Sequence, residues 1–296
     1  MDDNWIELLG YIILGLVQGI AEVFPISSSA HLAMTRDILH ATLGFRGFSF
    51  QAAIFLHIGT FIAILLWYQR DVVELWQGFS RSVFVYLFRL VSGRTRVGIT
   101  DPNARVAFRM LASLLTTAIL GKTLQTAAGN VFDSSKIISA FLIVNGIILL
   151  ASTRLPWGKK KIQDIELRDF ILIGAAQGIA VLPGISRFGM TLCACLARGL
   201  SWYEALKLSF LLSLPTVLGA TLLEGIDYVQ NGGATTLNSL YLLLAIVISA
   251  IIGYISIRFL LIAGLHMRRR LVYFGVYSIV VGFYGVLIFN WLLPTS

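Results

Sequence analysis

Six stretches of the chain, residues 48–68, 106–120, 137–152, 205–223, 240–257 and 271–293, are predominantly apolar. No other feature restricts the fold as much. A helix needs roughly 20 apolar residues to cross a bilayer, and only helices and closed barrels satisfy their backbone there. Charged residues make up 13% of the chain, against about 25% in a soluble domain, too few to coat a surface facing water. The sequence therefore predicts an all-α integral membrane protein, a single membrane domain over residues 1–296, surrounded by membrane lipids. The net charge of +8 does not point to nucleic acid, because Lys and Arg collect in the cytoplasmic loops of membrane proteins. Met1-Asp2-Asp3-Asn4 is acidic and does not read as a cleavable signal. A seventh apolar stretch, 83–91, is too short to cross and holds Arg89, so an interfacial helix is expected there. Cys193 and Cys195 stand two apart on a helix, where side chains do not face each other, and are expected to pack.

Basic residues assign the two sides. One loop carries Arg70, Arg81, Arg89, Arg94, Arg96 and Arg105; a second carries Arg154, Lys159, Lys160, Lys161 and Arg168. Two spans separate them, so they share a face. Arg258 and residues 268–270 fall on that face too, while 224–238 hold no Lys or Arg. The positive-inside rule makes the basic face cytoplasmic, with both termini outside; Arg36 and Arg46 run against the scheme. Residues 8–35 and 170–197 are also long and apolar, yet each carries Pro and Gly near its middle. A single crossing by either would break the charge pattern. Two re-entrant helical hairpins preserve it.

These hairpins resemble each other. Gly15-Leu16-Val17-Gln18-Gly19-Ile20-Ala21 and Gly174-Ala175-Ala176-Gln177-Gly178-Ile179-Ala180 share five of seven residues. Pro25-Ile26-Ser27-Ser28 lines up loosely with Pro183-Gly184-Ile185-Ser186. Chance is a weak explanation, since Gln, Pro and Ser match as well as Ile and Ala. Three spans follow each hairpin, so the halves have opposite topology: an inverted repeat of residues 8–153 and 170–293. Broken helices in such repeats meet near the bilayer midplane, where irregular backbone is tolerated only inside protein or along a wet cavity.

The only fixed charge in 8–35 is Glu22, and in 170–197 it is Arg187. An isolated charge at membrane depth costs several kcal/mol and needs a partner or a cavity. An ion pair that merely ties the hairpins together would leave the polar residues around both unexplained. Gln18 and Glu22, four apart, share a helix face and offer oxygens to a hard cation, Mg²⁺ or Ca²⁺. Pro25 ends the half-helix, and Ser27-Ser28-Ser29 can cap the next, whose free N–H groups suit phosphate. Ser28 and His31, three apart, have the spacing of a nucleophile beside a base. In the second hairpin, Gly184 permits close backbone approach, Ser186 precedes Arg187, Arg187 can fork onto phosphate oxygens, and Thr191 lies one turn on. Together these are the parts of a phosphoryl-transfer site. His40, His57 and His266 lack such neighbours and are left structural, His57 being the first to reconsider.

At these residues the chain resembles the bacterial undecaprenyl-diphosphate phosphatase family, also called the bacitracin-resistance protein family. Gln18 and Glu22 match its first motif, which continues through Phe24-Pro25-Ile26-Ser27-Ser28-Ser29-Ala30-His31. Pro183, Gly184, Ser186, Arg187 and Thr191 match its second, Pro-Gly-x-Ser-Arg-Ser-x-x-Thr. The resemblance covers residues 12–292. It implies hydrolysis of a polyisoprenyl diphosphate lipid to the monophosphate, recycling the carrier for cell-wall synthesis. It also implies a divalent cation and a site open to the periplasmic side of the bacterial cell membrane. Glu22 with Gln18 would handle metal or diphosphate; Ser28 and His31 are the catalytic candidates; Ser27, Gly184, Ser186, Arg187 and Thr191 would hold phosphate. Phe188 stands where the family usually has Ser. The alternative is a transporter of the same fold that moves a lipid phosphate without cleaving it. The sequence leaves a homodimer open.

Overall fold

The computed structural model describes residues 4–46, 48–91, 101–129, 134–156, 158–230, 239–262 and 267–291. Arg94, Arg96, His266 and residues 231–238 lie outside them. The described residues form eleven α-helices: α1 (Asn4–Ala21), α2 (Ser28–Leu43), α3 (Phe50–Trp67), α4 (Gln69–Val91), α5 (Pro102–Ala128), α6 (Ser135–Ser152), α7 (Leu167–Ile179), α8 (Arg187–Ala197), α9 (Trp202–Gln230), α10 (Ser239–Ile262) and α11 (Met267–Trp291). Local chemistry sets many of the ends. Asp101 caps α5 by accepting the Asn103 and Ala104 N–H groups at 2.8 and 3.3 Å, with Pro102 in the first turn. Ser49 caps α3, and Gly44, at φ 77, closes α2.

The chain is an integral membrane protein. Among the described residues six helices, α1, α5, α6, α9, α10 and α11, are long and apolar enough to cross a bilayer. Large apolar side chains on them face outward, among them Leu115, Ile119, Leu223, Leu240 and Val280, each 60–70% exposed, more than a water-soluble surface carries. Five of the predicted spans are α5, α6, α9, α10 and α11; the sixth, 48–68, falls on α3, which is long and apolar enough only together with α4, bent from it by 80°, whereas α1, expected as one arm of a re-entrant hairpin, is itself long enough to cross.

Two boundaries differ from the sequence reading. The first hairpin is longer, from Asn4 to Leu43, because the Arg36-Asp37 charges ride on helix α2 instead of ending it. Arg36 pairs with Asp37, which also accepts a hydrogen bond from Ser135 of α6. The interfacial helix expected over 83–91 is the end of α4, which bends 80° from α3 near Tyr68. The second hairpin's arms, α7 and α8, have 13 and 11 residues, too short to cross.

The matching glycines serve the same purpose in both hairpins. A Cβ on Gly15 would lie 2.6 Å from the Ala245 carbonyl oxygen of α10, and one on Gly174 would lie 2.2 Å from that of Ser113 on α5. Backbone thus meets backbone where α1 seats on α10 and where α7 seats on α5. The two basic loops also come together: Arg109 at the start of α5 donates to the Gln163 and Ile165 carbonyls at 3.3 and 2.6 Å. Lys207 of α9 pairs with Asp71 of α4.

Candidate active site

Each hairpin breaks as its prolines and glycines predict. After α1 the chain turns through residues 22–27 and restarts at Ser28. Ser27 holds φ 68, the one positive φ of a non-glycine residue among those described, and its Oγ accepts the Ala30 N–H at 3.5 Å. After α7 the turn ends at Ser186, whose Oγ accepts the Gly189 N–H at 3.0 Å. Gly184 within that turn holds φ 99, and a Cβ there would lie 2.2 Å from the Ile138 carbonyl oxygen. Both half-helices, α2 and α8, therefore begin at a serine cap, and a helix start of this kind favours an anion.

The two breaks meet at Glu22, which is 9% exposed. Arg187 donates from Nη2 to its Oε1. Its Oε2 accepts the Ser28 hydroxyl at 2.5 Å and the Gln18 amide at 3.3 Å, and His57 Nε2 lies 3.2 Å from the same oxygen. The carboxylate thus collects one partner from the second hairpin, one from α3 and two from its own hairpin. Ser29 Oγ accepts the Gly184 N–H at 3.2 Å, a second direct tie between the hairpins.

Gln18, Glu22, Ser27, Ser28, Gly184, Ser186 and Arg187 are brought together as the sequence predicts. One expected contact is absent. Among the described residues no hydrogen bond joins Ser28 to His31: the serine turns to Glu22. The histidine's Nδ1 lies 2.8 Å from the Ser27 carbonyl, and its Nε2 lies 2.9 Å from the Tyr277 hydroxyl of α11. With Nδ1 donating to the carbonyl, Nε2 accepts from Tyr277, whose ring lies parallel to the imidazole. Thr191 lies one turn into α8. Its hydroxyl donates to the Arg187 carbonyl one turn back at 2.5 Å, as hydroxyls in helices commonly do. Phe188 turns into the core and stacks on Phe210, ring centroids 4.5 Å apart, so its bulk does not fill the space beside Arg187's partner carboxylate.

His57, left structural by the sequence reading, is a partner of Glu22. A titratable side chain midway along an apolar span was the signal for it. His40, by contrast, is structural: its Nδ1 lies 2.9 Å from the Phe45 carbonyl. Asn145 of α6 and Tyr277 of α11 also belong to the site and were missed. Of the oxygens expected to face a divalent cation, both of Glu22 already accept from neighbours. Gln18 Oε1 is buried without a hydrogen-bond partner, and its amide lies against Glu22. No cluster of three His, Cys, Asp or Glu side chains occurs among the described residues, so further ligands would come from a bound diphosphate and water, as is usual for Mg²⁺.

The fold and the site define a multi-span membrane protein that builds its polar centre from two broken helical hairpins. The family profile described as "Bacitracin resistance protein BacA" matches residues 11–284. The chain belongs to that family. The undecaprenyl-diphosphatase of Geotalea daltonii is 36% identical over 285 residues, 96% of this chain and 99% of that protein. The undecaprenyl-diphosphatase 1 of Bacillus licheniformis is 34% identical over 294 residues, 97% of this chain and 99% of that protein. The undecaprenyl-diphosphatase of Methanobrevibacter smithii is 32% identical over 280 residues, 93% and 95%.

Proposed function

We propose that this protein hydrolyses undecaprenyl diphosphate, a polyisoprenyl diphosphate, to the monophosphate and orthophosphate. The observation that carries the reading is the convergence of Ser28 and Arg187 on the two oxygens of one buried carboxylate, in a chain whose relatives are named for this reaction. Those names favour hydrolysis over the transport alternative.

The geometry gives each group a task. Ser28 donates to Glu22, so the carboxylate can take its proton as Oγ bonds to the terminal phosphorus. The bond from that phosphorus to the bridging oxygen breaks, and its electrons leave on the lipid monophosphate. Water then frees orthophosphate from the seryl phosphate and restores the hydroxyl. Arg187 and the N–H groups that begin α2 and α8 hold the phosphate oxygens. This assigns attack to Ser28 rather than His31, whose Nε2 is engaged by Tyr277. Glu22 and Gln18 would hold the divalent cation, which when bound neutralises charge on the diphosphate.

The same reading places the protein in the bacterial plasma membrane, the basic loops cytoplasmic and the site open to the periplasm. Its support is that Arg70, Arg105 and Arg168 stand at the starts of α4, α5 and α7 beside the lysine run 159–161, whose following segment accepts hydrogen bonds from Arg109 of α5. We also infer that residues 8–153 and 170–293 are inverted repeats. Support comes from the equivalent seats of Gly15 on α10 and Gly174 on α5.

Orthophosphate release by the purified protein in detergent, with and without chelator, tests the function. The expected result is orthophosphate and undecaprenyl monophosphate in equal amounts, loss of turnover in chelator, and recovery with Mg²⁺ or Ca²⁺. No release with any divalent cation removes the phosphatase reading. Full release in chelator removes the cation alone.

A further inference from the structure

In hydrocarbon, a break in a helix exposes N–H and C=O groups that water cannot satisfy, so protein must. Here one side chain serves both breaks. Asn145 sits on the uninterrupted helix α6 and is 1% exposed. Its Nδ2 donates to the Pro25 carbonyl at 3.0 Å, and its Oδ1 accepts the Ser186 N–H at 3.0 Å. Pro25 lies midway between Glu22 and Ser28, and Ser186 adjoins Arg187. The amide therefore grips the backbone of each broken segment beside the groups that react. A second, weaker donation at 3.4 Å reaches Ser278 of α11.

We propose that Asn145 is a positioning residue for hydrolysis: it fixes the separation between Ser28 with Glu22 on one hairpin and Arg187 on the other. The position requires a donor and an acceptor in one short planar group. Asp supplies only acceptors when ionised, and Leu supplies neither. The hairpins remain joined without it, because Ser29 accepts the Gly184 N–H at 3.2 Å and Glu22 pairs with Arg187. Loss of the amide should therefore loosen alignment before it unfolds the protein.

The inference rests on the phosphatase reading, and the experiment separates the two. Orthophosphate release from undecaprenyl diphosphate is followed for wild type, Asn145→Asp, Asn145→Ser and Ser278→Ala, with thermal unfolding of each in detergent and rates referred to folded protein. In both Asn145 variants kcat is expected to fall about ten- to a hundredfold, since a misplacement of roughly 1 Å can cost about a hundredfold. KM should stay within about threefold, and Ser278→Ala should stay near wild type. Should one Asn145 variant not fold, the other carries the same expectation. A folded Asn145 variant with wild-type kcat overturns the proposal, as does a loss that vanishes once rates are referred to folded protein. No release by wild type overturns this proposal and the phosphatase reading together.

Discussion

The two hairpins share a backbone plan and divide the charges between them. Each runs a Gly-x-x-Gln-Gly-Ile-Ala heptad into a break and restarts on a serine cap. Four residues after the glutamine, the first hairpin has Glu22 and the second has Val181. That one difference redirects the glutamines. Gln18 gives its amide to Glu22, whereas Gln177 turns to α9 and donates to Thr216 Oγ1 at 2.7 Å and the Leu212 carbonyl at 3.4 Å. The breaks differ as well. At Gly184 a side chain is excluded by the Ile138 carbonyl, but Ser27 adopts its positive φ with a side chain in place. Such a conformation costs about 1–3 kcal/mol and persists where its surroundings over-determine it; here the cap on α2 and the Ser28–Glu22 bond do so. On the proposed reading, the shared plan supplies two matched half-helix starts, and a few side chains make one hairpin the reactive arm and the other the cationic arm.

The sharpest way to break this comparison is to neutralise the reactive arm. Glu22→Gln keeps the shape and removes the charge on which Ser28, Gln18 and Arg187 converge. Orthophosphate release is expected to fall at least about a hundredfold, because several kcal/mol of charge stabilisation is at stake. Near-normal turnover would end Glu22's role as base or cation ligand. The cationic arm comes next. Arg187→Lys keeps the charge without the planar fork. Losing one charge-assisted hydrogen bond, worth roughly 1.5–3 kcal/mol, should slow turnover by about ten- to a hundredfold at 1.36 kcal/mol per decade, with stability in detergent little changed. If Lys supports wild-type turnover while Arg187→Ala loses stability, the residue is only an ion-pair partner. The smallest effects separate the two glutamines. Gln18→Ala should lower turnover up to about tenfold at unchanged stability. Gln177→Ala should leave turnover alone and lower stability by about 1–2 kcal/mol, the loss of its bonds to α9. Equal outcomes for both would erase the division of labour.

Much of this plan was legible before any coordinates. Proline and glycine inside apolar runs marked both breaks, and an isolated charge in each marked a polar site, because a charge at bilayer depth needs a partner or a cavity. What escaped was set by packing between distant segments. Asn145 meets Pro25 and Ser186, and His57 meets Glu22, through contacts that no spacing announces. The Ser28–His31 pairing failed for a local reason. Ser28 is the first residue of α2 and can turn back into the break toward Glu22, while the His31 ring is drawn to the Ser27 carbonyl a turn away. The 80° turn between α3 and α4 lies in Trp67-Tyr68-Gln69, where neither proline nor glycine announces it.

The central claim is that the two hairpins make one catalytic unit through Glu22 and Arg187. A double-mutant cycle in kcat tests it most directly, using wild type, Glu22→Gln, Arg187→Lys and the double variant, each checked for folding. Groups acting on one transition state as a unit are strongly non-additive. The double variant should therefore be slower than Glu22→Gln alone by less than about threefold. A double variant slowed by the full product of the two separate effects would contradict the account, since the two charges would then act independently.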